Sequence, residues 1–503
     1  MISTEDDPIK TAPIFPPVSY THLAAALLVG LALRLFFVAH FSPYSGDTKF
    51  YEELARNWLD HGTYGLFIHG KLIPVDMRMP GYPAFLAAIY AVLGRTNRAI
   101  AVVQAFVDLT TCILAALIAA RLAPAPKRTL AATAALWMAA LCPFTANYSA
   151  VVLTEVLATL LTTLALFVFV CVLGHPSMDR PLRSLDKRAV FSSVGWWLVG
   201  GILVGVGTLV RPEAPLLLVA VGLVLAIRWR SRADWSKLAL AASWMAVGLL
   251  LPLTPWAARN ARTLGRIEFL APRYAQTQGD FIPRGFYKWT ETWMVQFEDA
   301  YLVPWKLGKA PIPIETLPAS AFDSAAERAR VAVLLSRYNS DLKMTPVLDR
   351  EFALLARERT ARHPMRTYLF IPVSRAWMIW FTPRIELLPY SGKVWPPGEK
   401  WRGNRTDFGV TLGFGILNCI YLGLAFVGAW RCRSHPALAL LITFVVARTA
   451  FLTQLPTVEP RYVIVCFPVV LALGALACAI PQRDTSAASH PSRALTHCRL
   501  TAD

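Results

Sequence analysis

Hydrophobic residues in this chain come in long blocks, not at the alternating spacing of half-buried strands or the three-to-four spacing of amphipathic helices. Val151 to Leu173 and Leu238 to Trp256 each approach the roughly 20 apolar residues that cross a hydrocarbon core of about 30 Å. The pattern predicts ten such spans, near residues 21–40, 99–120, 129–143, 150–173, 192–210, 213–228, 238–256, 409–430, 436–455 and 462–480. Two further apolar stretches, Tyr82 to Leu93 and Tyr368 to Phe381, are too short to cross comfortably. The second holds Pro372 and Arg375 in its middle and Trp377 and Trp380 near its end, which suits a helix lying at the membrane surface. The expected fold class is therefore an all-α polytopic membrane protein of about ten transmembrane helices, with interfacial helices and a large extracytoplasmic loop region.

The polar intervals supply an orientation. Short loops facing the cytoplasm carry the Lys and Arg excess. Here Arg121, Lys127 and Arg128 form one basic loop, followed by Arg180, Arg183, Lys187 and Arg188, then Arg228, Arg230, Arg232 and Lys237, then Arg431 and Arg433. The loops at 144–149, 211–212 and 456–461 hold almost none. This alternation predicts both termini in the cytoplasm and places residues 41–98 and 257–408 on the far side. The first apolar run, Ala24 to Ala39, follows a polar tail and lacks a small-residue cleavage site, so it reads as a retained span. The organisation predicted is a seven-span module over 1–256, an extracytoplasmic cap over 257–408 with its interfacial helix near 368–381, a three-span module over 409–480, and a cytoplasmic tail over 481–503. Within the cap, helices are expected over 320–337 and 346–362, the latter opening on Pro346 and stopping before Pro364.

Composition agrees: 55% of the 503 residues are hydrophobic and 16% charged, with a mean hydropathy of +0.45. A formal charge of +18 would suit nucleic acid, but the basic residues sit between apolar blocks, as topology signals do. The eight cysteines include no C-x-x-C pair and most lie in apolar runs, which excludes a zinc ribbon and argues against a disulfide framework. The nine histidines have no metal-ligand spacing.

Candidate chemistry gathers at the far-side ends of the spans. Asp47 follows Gly46 at the start of an amphipathic segment; one reading is a helix cap, the other an acid held just above the bilayer. Arg78, Pro80, Gly81, Tyr82 and Pro83 form a rigid turn farther along the same loop. Glu155 stands at the outer end of the fourth span, where an ionisable group is costly and needs a partner. Arg211, Pro212 and Glu213 interrupt the next outer boundary, Arg259 and Asn260 follow Pro255 and Trp256, and Glu459, Pro460, Arg461 and Tyr462 open the last span. Carboxylates and arginines converging on one membrane face suit a site that binds a phosphate and activates a hydroxyl, although such charges can also pair structurally. Asp108 with Gln104, and Arg448, read as helix-to-helix hydrogen bonds.

In this order, the motifs resemble the membrane glycosyltransferases of the GT-C fold, in particular the family-39 relatives that include protein O-mannosyltransferases and the aminoarabinose transferase of lipid A. The resemblance covers roughly the first 270 residues and the last span. It implies that Asp47 orients or deprotonates the acceptor, with Glu155 as a second catalytic acid. It also implies a polyprenyl-phosphate sugar as donor and a lipid, glycan or protein as acceptor, in the cell membrane of a bacterium. Arg78, Arg211, Arg259 and Arg461 become candidates to hold the leaving phosphate, and Tyr82, Glu213, Glu459 and Tyr462 complete the substrate-binding set. Those relatives often carry a Pro-Pro pair where this chain has Pro80-Gly81-Tyr82-Pro83, so sugar and acceptor do not transfer from either subgroup. No dinucleotide-binding glycine pattern or D-x-D signature lies in the inner loops, as a lipid-linked donor allows. Asp47 and Glu155 could share a divalent cation or bind none. The rival from another class is a transporter or flippase, which should show inverted repeats or matched broken spans; none is visible. A third reading is an assembly partner that docks another protein through the large outer region.

Overall fold

A computed structural model describes residues 18–41, 44–174, 187–231, 234–274 and 279–479, with side chains described from residue 194 onward in the segment that begins at 187. The tail over 481–503 and the basic residues Arg180, Arg183 and Arg232 lie outside the described residues.

The apolar blocks are helices. They comprise α1 (Tyr20–His40); then, after α2 (Thr48–His61) and α3 (Gly81–Leu93), α4 (Asn97–Leu122), α5 (Arg128–Ala140), α6 (Glu155–Leu173), α7 (Lys187–Val210), α8 (Leu216–Arg228) and α9 (Trp235–Leu264). Six helical segments are long and apolar enough to cross a membrane. A bent pair, residues 125–140 and 143–150 meeting at 47°, can make a seventh. The described part of α7, α8 and a later helix are shorter apolar helices at the remaining predicted spans. The protein is thus a multi-pass helical membrane protein of about ten spans.

Three boundaries differ from expectation. Residues 143–150 form a short helix and a 3₁₀ turn buried in the protein, so the fourth span begins at Glu155 instead of 150. The sixth begins at Leu216, because Pro212 and Pro215 interrupt backbone donation and leave 211–215 as a tight turn. The seventh runs on to Leu264 through Pro252 and Pro255, carrying Arg259 and Asn260 on helix instead of loop.

Helix packing depends on small residues, as it must where lipid competes equally for apolar surface. A Cβ on Gly201 of α7 would meet the Met245 carbonyl of α9 at 2.4 Å, and one on Gly248 would meet that of Leu198 at 2.4 Å. Deep in the bundle Arg34 of α1 pairs with Asp108 of α4, Nη2 to Oδ2 2.6 Å, and donates to the Gly30 and Ala140 carbonyls. Asp108 therefore belongs to Arg34, a residue the sequence reading passed over, and not to Gln104.

The first polar segment contains a feature that hydropathy did not predict, a hairpin of β1 (Gly65–Ile68) and β2 (Lys71–Pro74), paired Ile68 to Lys71. His69 and Gly70, with φ of 50° and 76°, make its two-residue turn. Asn57 Nδ2 donates to the Gly65 carbonyl at 2.8 Å, fastening the hairpin to α2.

Beyond α9 come α10 (Arg284–Glu291), α11 (Ala325–Asp341) and α12 (Pro346–Arg362), which enclose a second hydrophobic core of Phe286, Trp289, Leu335, Tyr338 and Phe352. The helix expected over 320–337 starts at Ala325 because Ser324 caps it, its side chain accepting from the Glu327 N–H. The helix over 346–362 has the expected bounds. A turn at Arg366–Phe370 leads into α13 (Ile371–Phe381), and α14 (Arg405–Arg431), α15 (Leu438–Leu452) and α16 (Phe467–Ala479) complete the bundle. Arg375 of α13 does not reach outward as an interfacial arginine would; it is buried among backbone carbonyls.

Candidate functional site

At one end of the bundle six separated stretches of chain bring their charges together. Asp47 precedes α2, but its side chain makes no cap hydrogen bond. Instead Oδ1 accepts from Arg78 Nη2 and Oδ2 from Arg461 Nη2, each at 3.0 Å. The cap reading of Asp47 is thereby corrected, and the reason is local. Thr48 Oγ1 accepts from the Ser45 N–H at 3.0 Å and donates to the Val152 carbonyl, which orders the turn without the carboxylate.

Glu155 opens α6, where the helix dipole favours a negative charge. Its Oε1 accepts from Arg211 Nη1 at 3.1 Å and lies 3.7 Å from Arg461 Nε, while Oε2 is buried without a hydrogen-bond partner among the described residues. Arg211 also donates through Nε to Glu213 Oε1 at 2.7 Å and stacks over the Tyr462 ring at 4.9 Å. The Leu209 carbonyl just before this turn lies 2.6 Å from where a Cβ on Gly81 would sit, so only glycine lets α3 approach there.

Glu213 accepts from Arg448 Nη2 at 3.2 Å, and Arg448 donates to the Tyr462 carbonyl at 3.1 Å. Arg448 is thus a member of the network as well as a helix-to-helix link. Glu459 accepts from the Tyr462 hydroxyl at 2.6 Å and from Arg461 Nη2 at 3.2 Å. The assembled set holds Arg78, Arg211, Arg448 and Arg461 against Asp47, Glu155, Glu213 and Glu459.

Within this set Asp47 is the carboxylate that reaches solvent, its side chain 29% exposed against 2% for Glu155. Burial opposes its charge, but Arg461 and Arg78 outweigh burial and hold its pKa below the ordinary carboxylate value. For Glu459 the balance reverses: burial pushes its pKa up despite Arg461 and Tyr462.

Two predicted residues stand elsewhere. Arg259 clamps the hairpin, donating to the Tyr64 carbonyl at 2.6 Å and the Val75 carbonyl at 2.9 Å while stacked on Trp256. It lines a separate cavity of about 450 Å³ with Trp58, Tyr64, Pro80 and Pro255. Tyr82 is buried and donates to Gln104 Oε1 at 2.8 Å, outside the ionic network. Gln104 in turn donates to the Ser149 and Val151 carbonyls, fixing the irregular segment before Glu155.

Tyr51 was missed. It lies four residues after Asp47 on the same helical face, packs edge-on against Tyr82 at 5.1 Å, and feels the charges of Arg78, Asp47, Glu155 and Arg211. Burial pushes its hydroxyl up to about 12, so it stays protonated. The spacing from Asp47 was the available signal.

Among the described residues no three metal-ligating side chains converge. Asp47 and Glu155 both hold arginines, so the cluster does not fit a divalent cation, and no chemistry is derived through one.

No family model matches this chain, and no curated protein does. Several solved structures are similar to it at low identity. The archaeal oligosaccharyltransferase AglB from Archaeoglobus fulgidus, in complex with an inhibitory peptide and a dolichol-phosphate, is 14% identical over 91% of this chain and 50% of that one, with a TM-score of 0.45. The apo form of the Archaeoglobus fulgidus oligosaccharyltransferase gives 15% identity over 91% and 50%, with a TM-score of 0.47. ArnT from Cupriavidus metallidurans bound to undecaprenyl phosphate is 14% identical over 92% and 78%, with a TM-score of 0.40. The chain spans about half the length of the archaeal structures. Each is a distant similarity, and the ligands named are those proteins' own.

Proposed function

We propose that this protein is a glycosyltransferase that moves a sugar from a polyprenyl-phosphate donor to a lipid, glycan or protein acceptor at the outer face of a bacterial cell membrane. The observation that carries this reading is Asp47: an ionised, solvent-reaching carboxylate suspended between two arginines at the end of a membrane bundle. The acceptor hydroxyl attacks the anomeric carbon, the bond from that carbon to the phosphate oxygen breaks, and the proton goes to Asp47. The phosphate leaves with its charge on Arg78 and Arg461, preplaced cations being the strongest available stabilisers of developing charge. An aspartate so well neutralised is a weak base. A donor phosphate that competes for the same two arginines relieves this, because it withdraws from Asp47 the charges that depress its pKa. Glu155, Glu213 and Glu459 then hold Arg211, Arg448 and Arg461 in place, and Tyr462 packs against the Arg211 and Arg461 guanidiniums.

The deciding experiment incubates the purified protein, in nanodiscs, with a panel of polyprenyl-phosphate sugars and follows release of the polyprenyl phosphate. Release with at least one sugar is expected; silence with every donor while the protein stays folded would overturn the assignment. Sidedness is read separately, with both termini and residue 432 expected inside and residue 390 outside. Cysteine-accessibility labelling that put 390 and 432 on one side would refute it.

A further inference from the structure

A second polar cavity lies away from the Asp47 cluster, where α10 and α12 of the cap meet α13 and the segment after α15. Its volume is about 640 Å³, and Arg284, Lys288, Glu291, Arg357, Thr360 and Arg375 line it. Arg375 is only 2% exposed. Its Nε donates to the Met294 carbonyl at 2.9 Å and Nη1 to those of Thr453 and Leu455 at 2.9 and 3.2 Å, yet Nη2 is buried with no hydrogen-bond partner among the described residues. Glu291 shows the complementary defect. Its Oε2 accepts from Lys288 Nζ at 2.6 Å, while Oε1 is buried without a donor among the described residues.

Buried polar atoms are costly when unmet, so a cavity lined by an orphan donor and an orphan acceptor is shaped for a ligand that supplies both. Four cations against one carboxylate make that ligand an anion, and a guanidinium prefers the oxygens of phosphate. The acceptor on Glu291 requires an O–H or N–H on the same molecule. Tyr368, 75% exposed, stands at the rim of the cavity.

We propose that this cavity is a second ligand site, which takes a phosphate whose carrier also offers a hydroxyl or amine. The site does not depend on the sugar-transfer reading, and its test is binding alone. Short-chain phosphatidylglycerol, short-chain phosphatidylcholine and inorganic phosphate are titrated onto the detergent-solubilised full chain by calorimetry. Phosphatidylglycerol is expected to bind saturably and about tenfold more tightly than phosphatidylcholine, whose headgroup offers Glu291 no hydrogen. Glu291→Gln and Arg357→Gln should each weaken it about tenfold, and Arg375→Gln should abolish it. Inorganic phosphate binding as tightly as the lipid, with the same sensitivity to the variants, keeps the site and assigns it a soluble phosphate. Arg375 also ties three carbonyls together, so its variant could fail to fold; Arg357 is exposed, and its variant carries the decision. Affinity unchanged in Arg357→Gln and Glu291→Gln, or no saturable binding of either phosphate probe, overturns the proposal.

Discussion

Two clusters of arginines and carboxylates, one at the head of the bundle and one in the cap, are built for opposite ends. In the cap, Arg359 is fully buried and donates to the Thr292 hydroxyl and to the Ala321 and Ser320 carbonyls as well as pairing with Glu327. Its neighbours Asp323, Arg362 and Arg366 lie within one stretch of chain. That cluster ties loops to helices, and of its polar side-chain atoms only Arg366 Nε is unmet among the described residues. At the head, by contrast, Arg78, Arg211 and Arg461 spend most of their bonds on Asp47, Glu155, Glu213 and Glu459, one carboxylate reaches solvent and an oxygen of Glu155 is unmet among the described residues. Guanidinium N–H groups already given to backbone carbonyls cannot be recruited by a substrate. Arginines held by carboxylates can, because a phosphate replaces like with like.

The sharpest way to break this contrast is Asp47→Asn. It should leave insertion and melting unchanged while lowering sugar transfer about 10²–10⁴-fold, read as single-turnover rates in nanodiscs. Full activity in the folded variant would remove Asp47 from the chemistry. Arg359→Met should do the reverse. It strands buried carboxylates and costs about 3–5 kcal/mol, seen as lower thermal stability and faster proteolysis of residues 279–362, with transfer retained below the transition. Tyr82→Phe leaves Gln104 Oε1 unmet and should cost about 1–3 kcal/mol in the same melting assay.

The smallest effect is acid sensitivity. Asp323 has its pKa lowered, burial opposing its charge but Arg366, Arg359 and Arg362 prevailing. A carboxylate depressed in the folded state contributes stability that is present above its unfolded pKa, near 4, and is lost as pH falls through the lowered value. Melting from pH 7 to pH 3 should therefore decline, and less so in Asp323→Asn. Glu459, with its pKa raised, has the opposite sign: its contribution fades as pH rises through the raised value, and Glu459→Gln should flatten that limb.

Much of the bundle was legible because lipid imposes one rule, that apolar length becomes helix. Two of the three boundaries that slipped are those where proline intervenes, at Pro212, Pro215, Pro252 and Pro255, and hydropathy cannot say whether a proline ends a helix or is absorbed by it. The hairpin escaped because each strand is four residues long, although His69-Gly70 between two apolar runs was a turn signal. At the site, the motifs that converge were readable as charged ends of spans. Their partners were not: Asp47 looked like a cap, Arg259 looked like its fellow arginines yet binds carbonyls, and Arg34 was one basic residue in an apolar run. Pairing is set by packing between distant segments, and one sequence holds no record of it.

The bond between Asp47 and Arg461 joins residues 414 positions apart. A chain made from its N-terminus, at about 5–20 residues per second, threads its spans in order. Asp47, Arg78 and Glu155 are therefore in place long before Arg461 is synthesised. Until the last span enters, Asp47 and Glu155 lack one of their cations, and the cluster stays open on one side. The order of synthesis thus makes the final helix the piece that closes the cluster.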